Sequence, residues 1–395
     1  MIDYDKVIPE KIRNIQPSGI RKFFDIAQQV EGVISLSVGE PDFKTPWAAR
    51  KAAIGVLEKG RTAYTANAGL IQLREEISKY LLNFIHTEYD PNGEIIVTVG
   101  GSEALDLAMR ALIQPGDEVL VPEPSFVCYS PIITVCGGTP VPIVMTEEDK
   151  FKLRADALKA KITPRTKALI LPFPNNPTGS LIPEDMMKEI VEIARSSGAY
   201  ILCDEVYAGV SIEGAACPSI ADLYEKGIAT GSMSKAFSLA GLRLGWLATK
   251  SQEALRQFKR VRDYDLVSCG LFDEETAALA LRHKEKILER NRAILRENLP
   301  ILDAWVKEEP RTSYVRPRAG TMALVYYDLD IDSNIFSQRM FKETGAFAVP
   351  GTCFEERRAL RIGYGHDGEA LKEGLSVVSS FMRKLEEEGI PVIKE

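Results

Sequence analysis

Lys235 sits in the stretch SMSKAFSLAGLRLGW, with Ser232 and Ser234 just before it and Arg243 shortly after. A lysine lodged in a pocket beside another cation loses its proton more easily and becomes a nucleophile able to form a Schiff base. The hydroxyls and the guanidinium of the same stretch match what phosphate oxygens accept. A single lysine is more often a solvated amine, so this segment needs companions. One is VTVGGSEALDLAM, where Gly100, Gly101 and Ser102 join an apolar run to a helical period. The unpaired backbone N–H groups of such a turn attract an anion. The spacing matches neither GxGxxG nor GxxxxGK[ST], which excludes a dinucleotide fingerprint and a nucleotide P-loop. The bland alternative is a helix capped by Ser102.

Two further loops complete the set. AYILCDEVYAG ends an apolar run on Asp204 and Glu205, with Tyr207 just beyond. A carboxylate at the end of a buried strand is costly without a partner. A pyridinium nitrogen would be such a partner, and Tyr207 could then reach the adjacent phenolic oxygen; a capping aspartate with a tyrosine on the rim is the competing account. PFPNNPTGS, with Asn175, Asn176, Pro177, Thr178 and Gly179, is turn chemistry in itself. Its place between KALIL and AYILCDE puts that turn on the same sheet edge as Asp204.

These loops need strands to carry them. From about Thr45 to Lys250, short apolar runs alternate with helical periods: EIIVTV from Glu94, EVLVP from Glu118, PVPIVM from Pro140, KALILPF from Lys167, AYILCDE from Ala199 and IATGS from Ile228. Between them SEALDLAMRALI repeats Leu105, Met109 and Leu112 on one helical face. This rhythm predicts an α/β fold, a mostly parallel sheet sandwiched by helices, with ligands gathered where strands end. After Ala248 the pattern turns to charged helical stretches, then a strand signal at TMALVYYDL and a last helix ending near Glu388. The expectation is an N-terminal arm over residues 1–45 packing with the small domain, a large domain over 46–285 and a smaller α+β domain over 286–395. Charge runs such as EKILER and RKLEEEG read as solvated helix faces.

Composition narrows the function. The chain has 395 residues, of which 45% are apolar and 27% charged, and its net charge is −7. That is an ordinary globular composition without the basic stripe that nucleic-acid backbones require. No apolar run reaches membrane-spanning length, and the opening MIDYDKVIPEKIRN is charged where a secretory signal would be greasy, so a cytoplasmic location is expected. The six cysteines and three histidines form no metal-ligand spacing, so no metal is expected.

The chain resembles the class I and II aminotransferases, enzymes of fold type I that use pyridoxal 5′-phosphate, along nearly its whole length. The matching stretches occur in family order: SLSVGEPDFKTP, YTANAGLIQLREEI, VTVGGSEALDLAM, PEPSFVCY, PNNPTG, CDEVY, SMSKAFSLAGLRLGW and RALRIGYG. The resemblance implies that Lys235 holds the cofactor as an internal aldimine and shuttles a proton. Asp204 would pair with the pyridinium nitrogen, while Tyr207 and Asn176 hydrogen-bond the phenolic oxygen. Phe126 would stack on the ring. Gly101, Ser102, Glu103 (through its backbone N–H), Ser232, Ser234 and Arg243 would hold the phosphate, and Tyr64 would reach the phosphate of a neighbouring subunit in a homodimer. Arg361 would grip the substrate α-carboxylate, helped by Gly39 and Asn176. The expected partners are therefore an amino acid and a 2-oxo acid, exchanged by ping-pong kinetics, with no nucleic acid and no membrane.

The same lysine and aspartate serve sulfur lyases and acyl-transferring relatives, so β-elimination or oxidative chemistry stands as an alternative to transamination. A cofactor-binding sensor without turnover is a more distant one. The segment VSCGLFDEETAALAL offers no feature that translates into a side-chain preference, and no second arginine can be assigned to a dicarboxylic substrate.

Overall fold

The computed structural model describes residues 4–20, 32–37, 45–212 and 219–393. Its strands, in chain order, are β1 (Ile34–Ser35), β2 (Ile95–Thr98), β3 (Glu118–Glu123), β4 (Thr139–Val144), β5 (Thr166–Leu171), β6 (Tyr200–Asp204), β7 (Gly227–Ser232), β8 (Gly245–Ala248), β9 (Thr312–Tyr314), β10 (Met322–Tyr327), β11 (Ala346–Phe347), β12 (Val349–Pro350) and β13 (Ala359–Gly363). Seven of them form the main sheet in the order β2-β8-β7-β6-β5-β3-β4. The run from β7 to β4 is parallel throughout, and β8 alone is reversed, antiparallel to both β2 and β7. The sheet is thus α/β and mostly parallel, as the alternation of apolar runs and helical periods predicts. β8 is the strand that reading omits.

Burial explains both the composition and the edges. β2, β7 and β8 are buried at every position, and β5 and β6 at all but one, because helices cover both faces. Such strands read as continuous apolar runs. β4 closes one edge with Pro140 and Pro142 and leaves Val144 exposed. Proline cannot donate to a ladder, so it is tolerated on an edge, where it also discourages pairing with other chains.

A four-stranded antiparallel sheet, β12-β13-β10-β9, lies beyond the helix Lys284–Glu308, and β1 pairs in parallel with β11. One apolar core runs through both regions, joining Ile95, Val97 and Trp246 of the main sheet to Leu295 and Leu299 of the long helix and to Met322 and Ile362 of the smaller sheet. Among the charged helical stretches after Ala248 are two successive helices, Leu271–Arg282 and Lys284–Glu308, separated at His283 with no glycine or proline to mark the break. In the N-terminal segment, Lys11 Nζ donates to Val135 O at 2.7 Å and Ile20 packs against Phe347, Val349 and Phe354. No described helix is long and apolar enough to cross a membrane.

Candidate active site

Because β2, β3, β5, β6 and β7 point the same way, their carboxyl ends share one edge, and each delivers a candidate group there. β2 leads into the helix Gly100–Leu112. Two glycines make that turn possible. A Cβ on Gly100, whose φ is +72°, would stand 2.7 Å from Arg243 Nη2, and one on Gly245 would stand 2.7 Å from the carbonyl carbon of Gly100 and 2.8 Å from Gly101 N. The helix N-terminus therefore rests directly on the start of β8, beside the Arg243 guanidinium. This is a concave anion seat, with helix N–H groups on one side and a cation on the other.

The opposite wall of the seat is the turn after β7. Ser234 N donates to Ser232 Oγ at 3.0 Å, the two hydroxyls are 2.9 Å apart, and Arg243 Nη1 lies 3.5 Å from Ser234 Oγ. Ser232, Ser234 and Arg243 thus come together as expected, and Lys235 follows at half-buried depth. Ser102 does not cap the helix. The cap position is Val99, Ser102 lies exposed in the first turn, and the Glu103 carboxylate reaches back to the Val99 N–H. The Glu103 side chain is committed to its own helix and to Arg262, which leaves only its backbone N–H for an anion.

β6 ends on Asp204, which is 5% exposed. Its Oδ2 accepts from the Tyr129 hydroxyl at 2.7 Å and its Oδ1 from Val206 N at 3.3 Å. Burial pushes this carboxyl above its ordinary range, and the Tyr129 and Val206 donors and the Lys235 ammonium pull it back. Phe126 and Tyr129 meet edge to face, with centroids 5.9 Å apart. Tyr207 is buried just beyond Asp204, close enough to Arg361 to act on it electrostatically.

The turn after β5 is fixed by Asn175, whose Oδ1 accepts from Thr178 N at 3.1 Å and from Thr178 Oγ1 at 2.8 Å. This holds Asn176 so that its Oδ1 accepts from Arg361 Nη1 at 3.1 Å. Arg361 comes from β13 of the other sheet. Its Nη2 donates to Ser37 O at 3.1 Å and its guanidinium lies 5.4 Å over the Phe354 ring, while Nε has no hydrogen-bond partner among the described residues. Burial lowers its pKa. Gly39 lies outside the described residues, as does Cys217. Tyr64 stands apart from the rest, 86% exposed on a loop whose Thr65 hydroxyl donates to Glu274. Among the described residues no group of His, Cys, Asp and Glu side chains could hold a metal ion.

Three features suit a phosphorylated pyridine aldehyde: an anion seat whose close approach of helix, strand and Arg243 needs glycine at 100 and 245, a buried carboxylate in electrostatic contact with a lysine, and a buried guanidinium with one nitrogen lacking a hydrogen-bond partner among the described residues. Sequence reasoning missed Tyr129, Phe354 and Ser37. Tyr129 lies within PEPSFVCY, but nothing local pairs it with Asp204.

Residues 31–378 match the model of the family described as aminotransferase class I and II, and the chain belongs to that family. It is an aminotransferase. YugH of Bacillus subtilis strain 168, an aminotransferase by name, is 36% identical over 389 residues, covering 95% of this chain and 98% of that protein. Aromatic-amino-acid aminotransferase 2 of Thermococcus litoralis is 32% identical, with 95% and 98% covered. Among solved structures, a PLP-dependent aminotransferase from Streptococcus suis superposes with a TM-score of 0.86 at 31% identity, covering 94% of this chain and 98% of that one.

Proposed function

We propose that this aminotransferase uses pyridoxal 5′-phosphate to move the amino group of an L-amino acid to a 2-oxo acid in two half-reactions of ping-pong type. The observation that carries the reading is the meeting, at one sheet edge, of the Gly100 seat, Asp204 beside Lys235, and Arg361 held by Asn176. Bound there, the cofactor would supply a carbonyl carbon for the amino group and an electron-poor ring to accept the charge left on the substrate Cα.

The chain's own groups do the rest. Lys235 Nζ would anchor the cofactor covalently and, once released, move the proton at Cα. Asp204 would keep the ring nitrogen protonated. Asn176, its Oδ1 already engaged by Arg361, has its amide N–H groups for the phenolic oxygen, alongside Tyr207. Phe126 would cover one ring face. The backbone of Gly101, Ser102 and Glu103 and the side chains of Ser232, Ser234 and Arg243 would hold the phosphate. Arg361 would take the substrate carboxylate as a fork, helped by Asn176 and Gly39.

The reading includes a homodimer in the cytoplasm. Tyr64 is exposed, and so are the large apolar side chains of Trp47, Leu57 and Tyr264. A second copy would cover exposed apolar side chains such as these and receive Tyr64 at its phosphate. The division into an arm over 1–45, a large domain over 46–285 and a small domain over 286–395 belongs to the same reading.

The test adds pyridoxal 5′-phosphate to the purified chain, then single amino acids, then 2-oxo acids, and follows the cofactor absorbance. Each half-reaction should run without the other's substrate, and Lys235→Ala should abolish repeated turnover. Release of ammonia and pyruvate with no acceptor present would overturn transamination in favour of elimination. A monomer by sedimentation, holding cofactor as tightly as a Tyr64→Phe variant, would remove the dimer from the proposal.

A further inference from the structure

Asp204 is held from two sides. Its Oδ2 accepts from Tyr129, whose hydroxyl is 2.7 Å away, and its Oδ1 from the Val206 N–H. Tyr129 is itself rigid: it is 3% exposed, opens the helix Tyr129–Val135 and stands edge-on to Phe126. One short stretch, Phe126–Tyr129, therefore supplies both an aromatic face at the sheet edge and a donor to the strand-end carboxylate.

We propose that Tyr129 is a positioning residue that sets the basicity of Asp204, and through it how firmly a heterocyclic nitrogen facing Asp204 keeps its proton. The inference rests on the cofactor reading above for what Asp204 faces. The physical step is simple. A hydrogen bond donated to the charged form of an acid favours that form, so a carboxylate with two donors is a weaker base than one with a single donor. A proton shared between the weaker base and a ring nitrogen stays on the nitrogen. Without the phenol, burial would dominate and Asp204 would compete for that proton. The other groups facing Asp204 are the Lys235 ammonium, which favours its charge, and the Cys128 thiol beside Tyr129, which burial keeps protonated and neutral. Tyr129 adds to these charges a direct side-chain hydrogen bond to Asp204.

Tyr129→Phe keeps the ring and its packing and deletes the donor; 3-fluorotyrosine at the same position keeps the shape and strengthens the donor. In the cofactor-free chain with carbon-13 in its aspartate carboxyls, assigned by comparison with Asp204→Asn, the Asp204 midpoint should rise by roughly one pH unit or more in Tyr129→Phe. It should fall with 3-fluorotyrosine. In the holoenzyme, kcat should drop about 10-fold or more in Tyr129→Phe with KM changed less than about threefold, the mark of an interaction felt in the reacting state. A purely structural role would not move the midpoint in opposite directions. Unmoved midpoints, or a kcat unchanged in a Tyr129→Phe enzyme, overturn the inference, and if Tyr129→Phe fails to fold, the 3-fluorotyrosine midpoint alone decides. A chain that takes up no pyridoxal 5′-phosphate sinks the cofactor reading instead, while the cofactor-free midpoints still report on Tyr129.

Discussion

Arg262 is fully buried and Arg361 is 4% exposed, yet the two guanidinium groups live in opposite electrostatic worlds. Arg262, on the helix Gln252–Asp265, has its Nε 3.3 Å from Glu103 Oε1 and its Nη2 3.3 Å from Cys269 Sγ, and the fully buried Glu274 also feels its charge. Among the described residues Arg361 meets only neutral groups: an amide oxygen, a backbone carbonyl and the face of Phe354. Each keeps one nitrogen without a hydrogen-bond partner among the described residues, so the contrast lies in the counter-charges. Burying a cation costs several kcal/mol, and a chain that does so without an internal carboxylate carries an uncompensated charge. Arg262 is a closed structural pair. Arg361 is an open one, completed by a carboxylate from outside, and that is why a buried cation marks a binding site in one place and a strut in the other.

Exchanging each arginine for methionine should separate these roles. Arg361→Met should cut kcat/KM by about 100-fold or more, most of it in KM, because a charge-assisted fork is worth several kcal/mol in a desolvated site. Its thermal stability should stay within about 1 kcal/mol of the parent, since the variant loses two hydrogen bonds but also an unpaired buried charge. Arg262→Met should do the reverse, costing about 3–5 kcal/mol because Glu103 and Glu274 are left buried without their cation. If Arg361→Met is the less stable of the two by thermal unfolding, the contrast between open and closed pairs is wrong.

A gentler probe uses the parent protein. A simple monocarboxylate at a hundred times its dissociation constant should raise stability by about 2.7 kcal/mol if it binds only the folded state. Arg361→Met should lose that protection and Arg262→Met should keep it; equal protection in both would place the carboxylate site elsewhere.

How far these features were legible follows from how local they are. Asp204, Asn176, Ser232 and Lys235 stand at the ends of strands whose apolar runs are evident, so both their place and their shared edge could be read. β8 escaped because GWLA is short and follows a loop rich in site residues. β1 and β11 are two residues each and exist only by pairing with each other from opposite ends of the chain, and β12 is a two-residue strand beside β13. The same limit hid the environment of the charges. Tyr129 meets Asp204 across 75 positions and Arg361 meets the Ser37 carbonyl across 324, and no periodicity encodes such pairings. Glu274 lay in a segment that gave no signal, because its role is to bind the Leu70 N–H and the Thr65 hydroxyl of a distant loop.

The closed pair has a weak point of its own, and it yields the smallest effect. Asp273 adjoins Glu274 in the first turn of the helix Leu271–Arg282, and burial first, then the charge of Glu274, pushes its carboxyl up to about 6. The helix N-terminus opposes this by favouring an anion there, worth about 0.3–1 kcal/mol. Since the folded state prefers the protonated acid, the stability linked to Asp273 is complete below its ordinary value of 3.8 and is lost as pH rises through about 6. Asp273→Asn should therefore stabilise the protein at pH 7.5, by less than about 1 kcal/mol because the group is partly exposed and screened. Near pH 4 the gain should shrink towards zero. Unfolding midpoints of variant and parent across that range provide the measure. A gain independent of pH would mean that the repulsion with Glu274 is already absorbed by Arg262 and by Arg74, whose charges both act on Glu274, making the closed pair tighter than the raised Asp273 pKa implies.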